Sequence, residues 1–175
     1  QGEFDVTPLP STVPTGITYI TSGPQAGNFA ITDSTQDEVF IVNASGVKQD
    51  QFDTAILGSN VPQGIAFISS GAFAGNLAIV DNSADEVFIV SIDGLNLNGQ
   101  FDTASLGSSN PTGITFAASG KYSGNLAIVD VNVDEVFVSN TSGLLQDKFD
   151  TAFVSGSPYG IAFNSATENF HVADE

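Results

Sequence analysis

The sequence predicts an all-β repeat protein, and three observations predict it. The first is a recurrence of Gly-Ile-x-Phe/Tyr at Gly16–Tyr19, Gly64–Phe67, Gly113–Phe116 and Gly160–Phe163, at offsets of 48, 49 and 47 residues. The second is a set of markers in fixed order on the same period. Gly-Asn-x-Ala-Ile-x-Asp stands at Gly27–Asp33, Gly75–Asp81 and Gly124–Asp130. Asp-Glu-Val-Phe follows at Asp37–Phe40, Asp85–Phe88 and Asp134–Phe137, and Phe-Asp-Thr at Phe52–Thr54, Phe101–Thr103 and Phe149–Thr151. The third is the form of the apolar segments, which are short, rich in β-branched and aromatic residues, bounded by Gly, Asn, Asp and Ser, and without a helical stripe.

The second repeat shows the elements in order. Strands are predicted over 64–69, 76–81, 86–91 and 101–106, with turns centred on Ser70–Gly75, Asn82–Asp85 and Gly94. The first strand opens on a glycine, as expected of an inner strand that approaches a common axis. Pro14, Pro62, Pro111 and Pro158, two residues earlier, suit the crossing segment between units, where no ladder hydrogen bond is needed. In the fourth strand, alternation turns Phe and Thr to one face and Asp53, Asp102 or Asp150 to the other, where a solvated carboxylate protects an edge. One residue is added between Gly94 and Phe101 and one is missing between Thr151 and Pro158, both in loop positions.

Four short antiparallel strands per 48 residues make one blade of a β-propeller. A parallel β-helix uses fewer residues per coil, a leucine-rich repeat would show a Leu/Asn ladder, and a sandwich does not explain near-identical units. The predicted organisation is an outer strand over 4–9, blades over 14–57, 62–106 and 111–154, and a partial blade over 158–175. That is about 3.7 repeats, short of any ordinary closed ring. The expectation is therefore a part of a larger propeller. Association of partial rings and a four-bladed ring with an incomplete last blade are the alternatives.

Composition excludes several classes. Twenty Asp and Glu face three Lys (Lys48, Lys121, Lys148) and no Arg, a net charge of −17. Such a chain cannot neutralise a phosphate backbone, so no nucleic-acid partner is expected. No apolar run approaches the roughly 18 residues of a membrane-spanning helix, so no membrane insertion is expected either. Zero Cys and one His remove thiol chemistry and multi-histidine metal sites. The absence of Cys, Arg and Met and the abundance of Asn, Ser, Thr and Gly suit an extracellular or periplasmic protein, attached to a cell surface through a larger chain if at all.

The pattern Pro-x-Gly-Ile-x-Phe, Gly-Asn-x-Ala-Ile-x-Asp, a polar turn and Asp-Glu-Val-Phe-x-Val resembles the NHL repeat and related six-bladed propeller repeats over almost the whole chain. The proline, the glycine and Asp33, Asp81 and Asp130 match; Glu38, Glu86 and Glu135 stand where that family often has Arg. The resemblance implies a scaffold that serves lyases, lactonase-like hydrolases, adhesion modules and protein-binding domains alike. Without the basic residues, it does not imply recognition of acidic ligands.

Candidate functional residues gather in the acidic turns. Asp33, Asp37 and Glu38, then Asp81, Asp85 and Glu86, then Asp130, Asp134 and Glu135 put three carboxylates within six residues in each blade. Calcium takes clustered oxygen ligands and is the candidate cofactor; the EF-hand spacing is absent. The competing reading makes Asp33, Asp81 and Asp130 acceptors for backbone N–H groups in Asx turns. Phe73 and Tyr122, at one position in successive repeats, are candidate binding anchors. The segments Val47–Gln51, Leu95–Gln100 and Leu144–Lys148 differ between blades and would shape a ligand face. His171 replaces Ala30, Ala78 and Ala127, and a lone imidazole is a weak catalytic signal. There is no Gly-x-Ser-x-Gly elbow. Two function classes remain. One is a non-catalytic module for a protein or carbohydrate ligand, with self-association to close the ring as a further possibility. The other is part of a calcium-dependent lactonase- or lyase-like propeller.

Overall fold

The computed structural model describes residues 9–154 and 156–174, so the outer strand expected at 4–9 lies almost wholly outside the described residues. The sheets follow chain order. β1 (Pro14–Tyr19), β2 (Phe29–Asp33), β3 (Glu38–Val42) and β4 (Lys48–Asp53) form the first antiparallel sheet. β5 (Pro62–Phe67), β6 (Leu77–Asp81), β7 (Glu86–Val90) and β8 (Leu97–Asp102) form the second, and β9 (Pro111–Phe116), β10 (Leu126–Asp130), β11 (Glu135–Ser139) and β12 (Leu145–Asp150) the third. β13 (Pro158–Asn164) and β14 (Asn169–Asp174) make a two-stranded fourth sheet. The result is a propeller-like arc that does not close.

The fourth strand of each blade sits earlier than the Phe-Asp-Thr motif suggests. In the second sheet it covers Leu97–Asp102 instead of 101–106. The turn before it is tight, closed by Ser91 N–H to the Asn96 carbonyl at 2.9 Å and Gly94 N–H to the Ser91 carbonyl at 2.9 Å, so pairing resumes at once. Thr103 ends the strand because its N–H turns to the Asp85 carbonyl at 2.7 Å, and Ala104–Leu106 wind into a short 3-10 turn. The first strand also begins two residues earlier than expected. Pro62 pairs with Asp81, and a register shift separates it from Ile65, which places a residue without an N–H at the strand's first position.

Between sheets, each Ile-x-Phe pair faces the preceding blade. Ile65 and Phe67 join Ala30, Val39, Ile41 and Phe52 in one buried cluster, and Ile114 and Phe116 join Ala66, Ala78, Val80 and Ile89 in the next. Each such side chain contributes about 1.5–3 kcal/mol when fully buried. The first sheet has no described blade before it, and there Ile17 is 56% exposed where Ile65 is 3% exposed.

Toward the axis the inner strands meet at glycine. A Cβ on Gly64 would lie 2.8 Å from the Gly113 Cα and 2.8 Å from the Ile114 N, and one on Gly113 would lie 2.8 Å from the Tyr159 carbonyl oxygen. These neighbours are backbone and cannot turn aside. Gly64→Ala is therefore expected to cost about 3 kcal/mol by overpacking. Gly75→Ala, at φ +89° with open space around it, should cost only about 1 kcal/mol. Urea denaturation of the two variants measures both, and equal losses would contradict the close approach of the inner strands.

Candidate functional site

In the three four-stranded sheets the second strand ends on a buried aspartate whose two oxygens hold different segments. Asp81 Oδ1 accepts from the N–H groups of Ser83 (2.8 Å) and Ala84 (2.9 Å), which shapes the turn that follows. Its Oδ2 accepts from Ser59 Oγ (2.8 Å) and Val61 N–H (2.7 Å), in the linker entering the same blade. Asp33 repeats this with Thr35 and Gln36 on one oxygen and Ser11, Thr12 and Val13 on the other. Asp130 does the same with Asn132 and Val133, then Ser108, Ser109 and Asn110. Burial alone pushes these carboxyls up, but the N–H and O–H donors outweigh it and hold all three below the ordinary 3.8. They carry the Asx turns that the sequence allows, with a second grip on the linker that local sequence does not show.

The next carboxylate in each turn is different. Asp37, Asp85 and Asp134 adopt φ of 54°, 53° and 53°, a left-handed conformation that Asp tolerates better than most residues. Their carbonyls are clasped by the Phe-Asp-Thr threonines: Thr54, Thr103 and Thr151 each donate both N–H and Oγ1–H, at 2.6–2.8 Å. The repeated Thr is thus a buried latch, and Asp53, Asp102 and Asp150 are exposed acceptors that cap the N–H two residues on. Burial and neighbouring carboxylates raise Asp37 and Asp85, Asp53 being the foremost neighbour of the first and Asp102 of the second. One oxygen each of Asp85 (Oδ1), Asp134 (Oδ1) and Glu38 (Oε2) is enclosed without a hydrogen-bond partner.

The glutamates that open the third strands have unlike surroundings. Glu38 accepts from Gln51 at 3.2 Å, Glu86 stands opposite Asp102 in register, and Glu135 pairs with Lys148 at 2.7 Å. Burial, then Asp53, raises Glu38. Among the described residues no three His, Asp or Glu side chains come together as a group that could hold a metal ion. The turns form a row of carboxylates along one face.

At the centre of the arc is a cavity of about 500 Å³ lined by Thr15, Gly16, Ile17, Gly64, Ile65, Thr112, Gly113, Ile114, Tyr159, Gly160 and Ile161, with Pro14 and Ile31. Its lining contains no carboxylate, imidazole or amine. His171 lies elsewhere, exposed on β14 opposite Ala162.

The opposite face carries the remaining loops. Phe73 is half-buried against the cluster between the second and third sheets, above Gly99. Tyr122 is half-buried against the third and fourth, with its ring 5.6 Å from that of Phe170. Tyr122 O–H and Lys121 Nζ both donate to Asp147 Oδ2, at 2.5 and 2.9 Å, and hold that carboxyl down at about 2. Farther out, Asn43 Oδ1 accepts from Ser45 and Val47, Asp93 Oδ1 from Leu95, and Asn140 Oδ1 from Ser142 and Leu144. These bonds fix the tips of the β3–β4, β7–β8 and β11–β12 hairpins and leave Val47, Leu95 and Leu144 exposed.

The two kinds of aspartate have opposite pH signatures. Asp33, Asp81 and Asp130, held low, add stability above about pH 4 that is lost as pH falls through their folded values. Asp37 and Asp85, held high, cost stability that develops above 3.8 and is complete once pH passes their folded values. Urea midpoints should therefore peak in the mildly acidic range. At pH 7, Asp81→Ala should lose about 3 kcal/mol or more, since it strands buried donors. Asp85→Asn should gain stability, because Asn accepts the left-handed backbone without the charge. An Asp85→Asn variant weaker than the parent at pH 7 would refute the repulsion.

No protein-family model matches the sequence, and no curated protein matches it. Solved structures do match. A chain of a nidogen/laminin complex superposes with a TM-score of 0.64 at 21% identity, over 95% of this chain and 58% of that one. The virginiamycin B lyase of Staphylococcus aureus, solved with quinupristin, gives 0.61 at 19% identity, over 94% and 50%. The hydrazine synthase of Kuenenia stuttgartiensis gives 0.64 at 14% identity, over 91% and 41%. The chain thus spans about half the length of these structures, and at such identities the likeness is one of fold: an open arc of β-propeller blades.

Proposed function

We propose that this chain is a non-catalytic binding or structural propeller module of the NHL-repeat type, working outside the cell or in the periplasm as part of a larger assembly. Its ligand is a protein or a carbohydrate, held by the loops between strands. One observation carries this reading: Val47, Leu95 and Leu144, at the same hairpin tip of three successive blades, are 56%, 76% and 65% exposed and rest on hydrogen-bonded turns. Aliphatic side chains repeated on one face and fixed in advance lose little entropy on binding. Solved propellers of this shape include both a lyase and a chain from a laminin complex, so the fold by itself does not distinguish the classes.

Calcium enters this reading as a counter-ion of the acidic turns. Asp37 and Asp85 repel their neighbours, and a divalent cation relieves that repulsion without an enclosed site. Millimolar calcium should raise the melting temperature modestly, magnesium should do nearly as well, and Asp85→Asn should blunt both. A large rise specific to calcium would replace the counter-ion account with a built site.

The function is tested on immobilised arrays of polysaccharides and secreted proteins, with the triple variant Val47→Asp, Leu95→Asp, Leu144→Asp beside the parent. These tips are exposed, so the variant should unfold like the parent, within about 0.5 kcal/mol per site. A bound ligand whose affinity falls at least tenfold in the variant is the expected result. Turnover of an ester, lactone or glycoside that survives in the variant would favour the enzyme instead.

A further inference from the structure

We propose that Asn43 and Asn140 are acceptor sites for N-linked glycans, at the hairpin tips of the first and third blades. These sites go beyond the loop-binding reading and share with it only the extracellular setting, where such glycans are attached. Three Asn-x-Ser/Thr triplets occur in the chain: Asn43-Ala44-Ser45, Asn110-Pro111-Thr112 and Asn140-Thr141-Ser142. An acceptor needs a hydroxyl two residues on and any residue but Pro between, so the motif alone passes the first and the third.

Both asparagines open the turn that joins a third strand to a fourth, and the turn uses every polar group of theirs except one. Asn43 N–H donates to the Val47 carbonyl at 3.0 Å and its carbonyl accepts from Gly46 N–H at 2.9 Å; Asn140 repeats this with Leu144 and Gly143, both at 3.0 Å. The side-chain oxygens are taken too, Asn43 Oδ1 by the N–H groups of Ser45 (2.9 Å) and Val47 (3.0 Å), Asn140 Oδ1 by those of Ser142 (2.9 Å) and Leu144 (3.0 Å). These donors fix which end of each carboxamide is oxygen and leave Nδ2 on the side away from them. Among the described residues neither Nδ2 nor the Ser45 and Ser142 hydroxyls make a hydrogen bond, and both serines are exposed. Asn110 is the contrast. Its N–H, Oδ1 and Nδ2 are engaged by Asp130, Asn82 and Asn132, and Thr112 is 3% exposed with its hydroxyl on the Pro158 carbonyl at 3.2 Å. The second blade has Ser91 at the same tip and offers no acceptor.

The donor is an oligosaccharide carried on a lipid diphosphate, and the transferase supplies the base. Nδ2 attacks the anomeric carbon of the first sugar, and the new carbon–nitrogen bond forms as the bond from that carbon to the diphosphate oxygen breaks. The electron pair leaves on the diphosphate and one Nδ2 proton passes to the base. Each glycan then stands across the turn from Val47 or Leu144, and the second blade, where Leu95 is 76% and Leu97 40% exposed, keeps the uncovered tip.

The test is to secrete the full chain behind a leader from a eukaryotic line, beside the variants Ser45→Ala and Ser142→Ala and the double variant. The two hydroxyls bond nothing in the fold and the N–H groups on Oδ1 remain, so all three variants should keep the parent's urea midpoint. The expected result is two glycans on the parent, one on each single variant and none on the double, with amidase release leaving aspartate at positions 43 and 140 in peptide mass spectra. A secreted parent without a glycan at either site overturns the proposal, as does a double variant that keeps its glycans or sugar found on Asn110. Array binding by the chain made without glycans tests the loop-binding reading separately, so either can fail while the other stands.

Discussion

The structure depends on a buried carboxylate that holds two segments at once. Asp33, Asp81 and Asp130 end their second strands with one oxygen on the turn ahead and the other on the linker that enters the blade. A blade is otherwise a meander of hairpins, and nothing in a hairpin fixes how its first strand is delivered from the preceding unit. The aspartate supplies that constraint, and its charge makes the bonds short and strong. The threonine latch completes it from the other side, since Thr103 ties the end of one blade to the Asp85 carbonyl of its own turn and its carbonyl accepts from Leu106 and Ser108 in the linker. The linker is therefore gripped at both ends, and the angle between blades follows.

The two faces of the arc differ in chemistry. On one, the turns and latches crowd carboxylates together, with backbone bonds stabilising some and like charge burdening others. On the other, the hairpin tips carry aliphatic side chains on rigid turns. Between them the inner strands meet at Gly64 and Gly113, too close for any side chain at those two positions, and glycine, isoleucine, threonine and Tyr159 line the central cavity.

The repeats are equivalent in sequence but unequal in their surroundings. Ile17 and Ile65 occupy one position, yet among the described residues only the second has a blade in front of it, and its exposure falls accordingly. Leu106 and Val154 occupy another, and only the first has a third strand beneath its linker. Among the described residues, side chains are more exposed in the first and fourth sheets than in the two between them. A repeat protein stabilised by neighbours shows this wherever a neighbour is missing.

Much of this was legible in the residues alone. The period, the four strands per unit, the inner glycines and the Asx role of the buried aspartates all follow from short-range patterns, since strand alternation, turn chemistry and steric limits at glycine are local properties. The boundary of the fourth strand was misplaced because Phe-Asp-Thr looks like a strand, while Thr103 leaves the ladder for a carbonyl 18 residues away. The second grip of Asp81 reaches Ser59, 22 residues back, and is equally invisible to local reading. Phe73 and Tyr122 show the same limit: their shared position marks a variable loop, but whether an aromatic ring faces water or the seam between blades depends on the next unit. The sequence by itself therefore determined the blade, its turns and its charge. Tertiary structure alone decided which equivalent residues are covered, because burial is set by the neighbouring repeat.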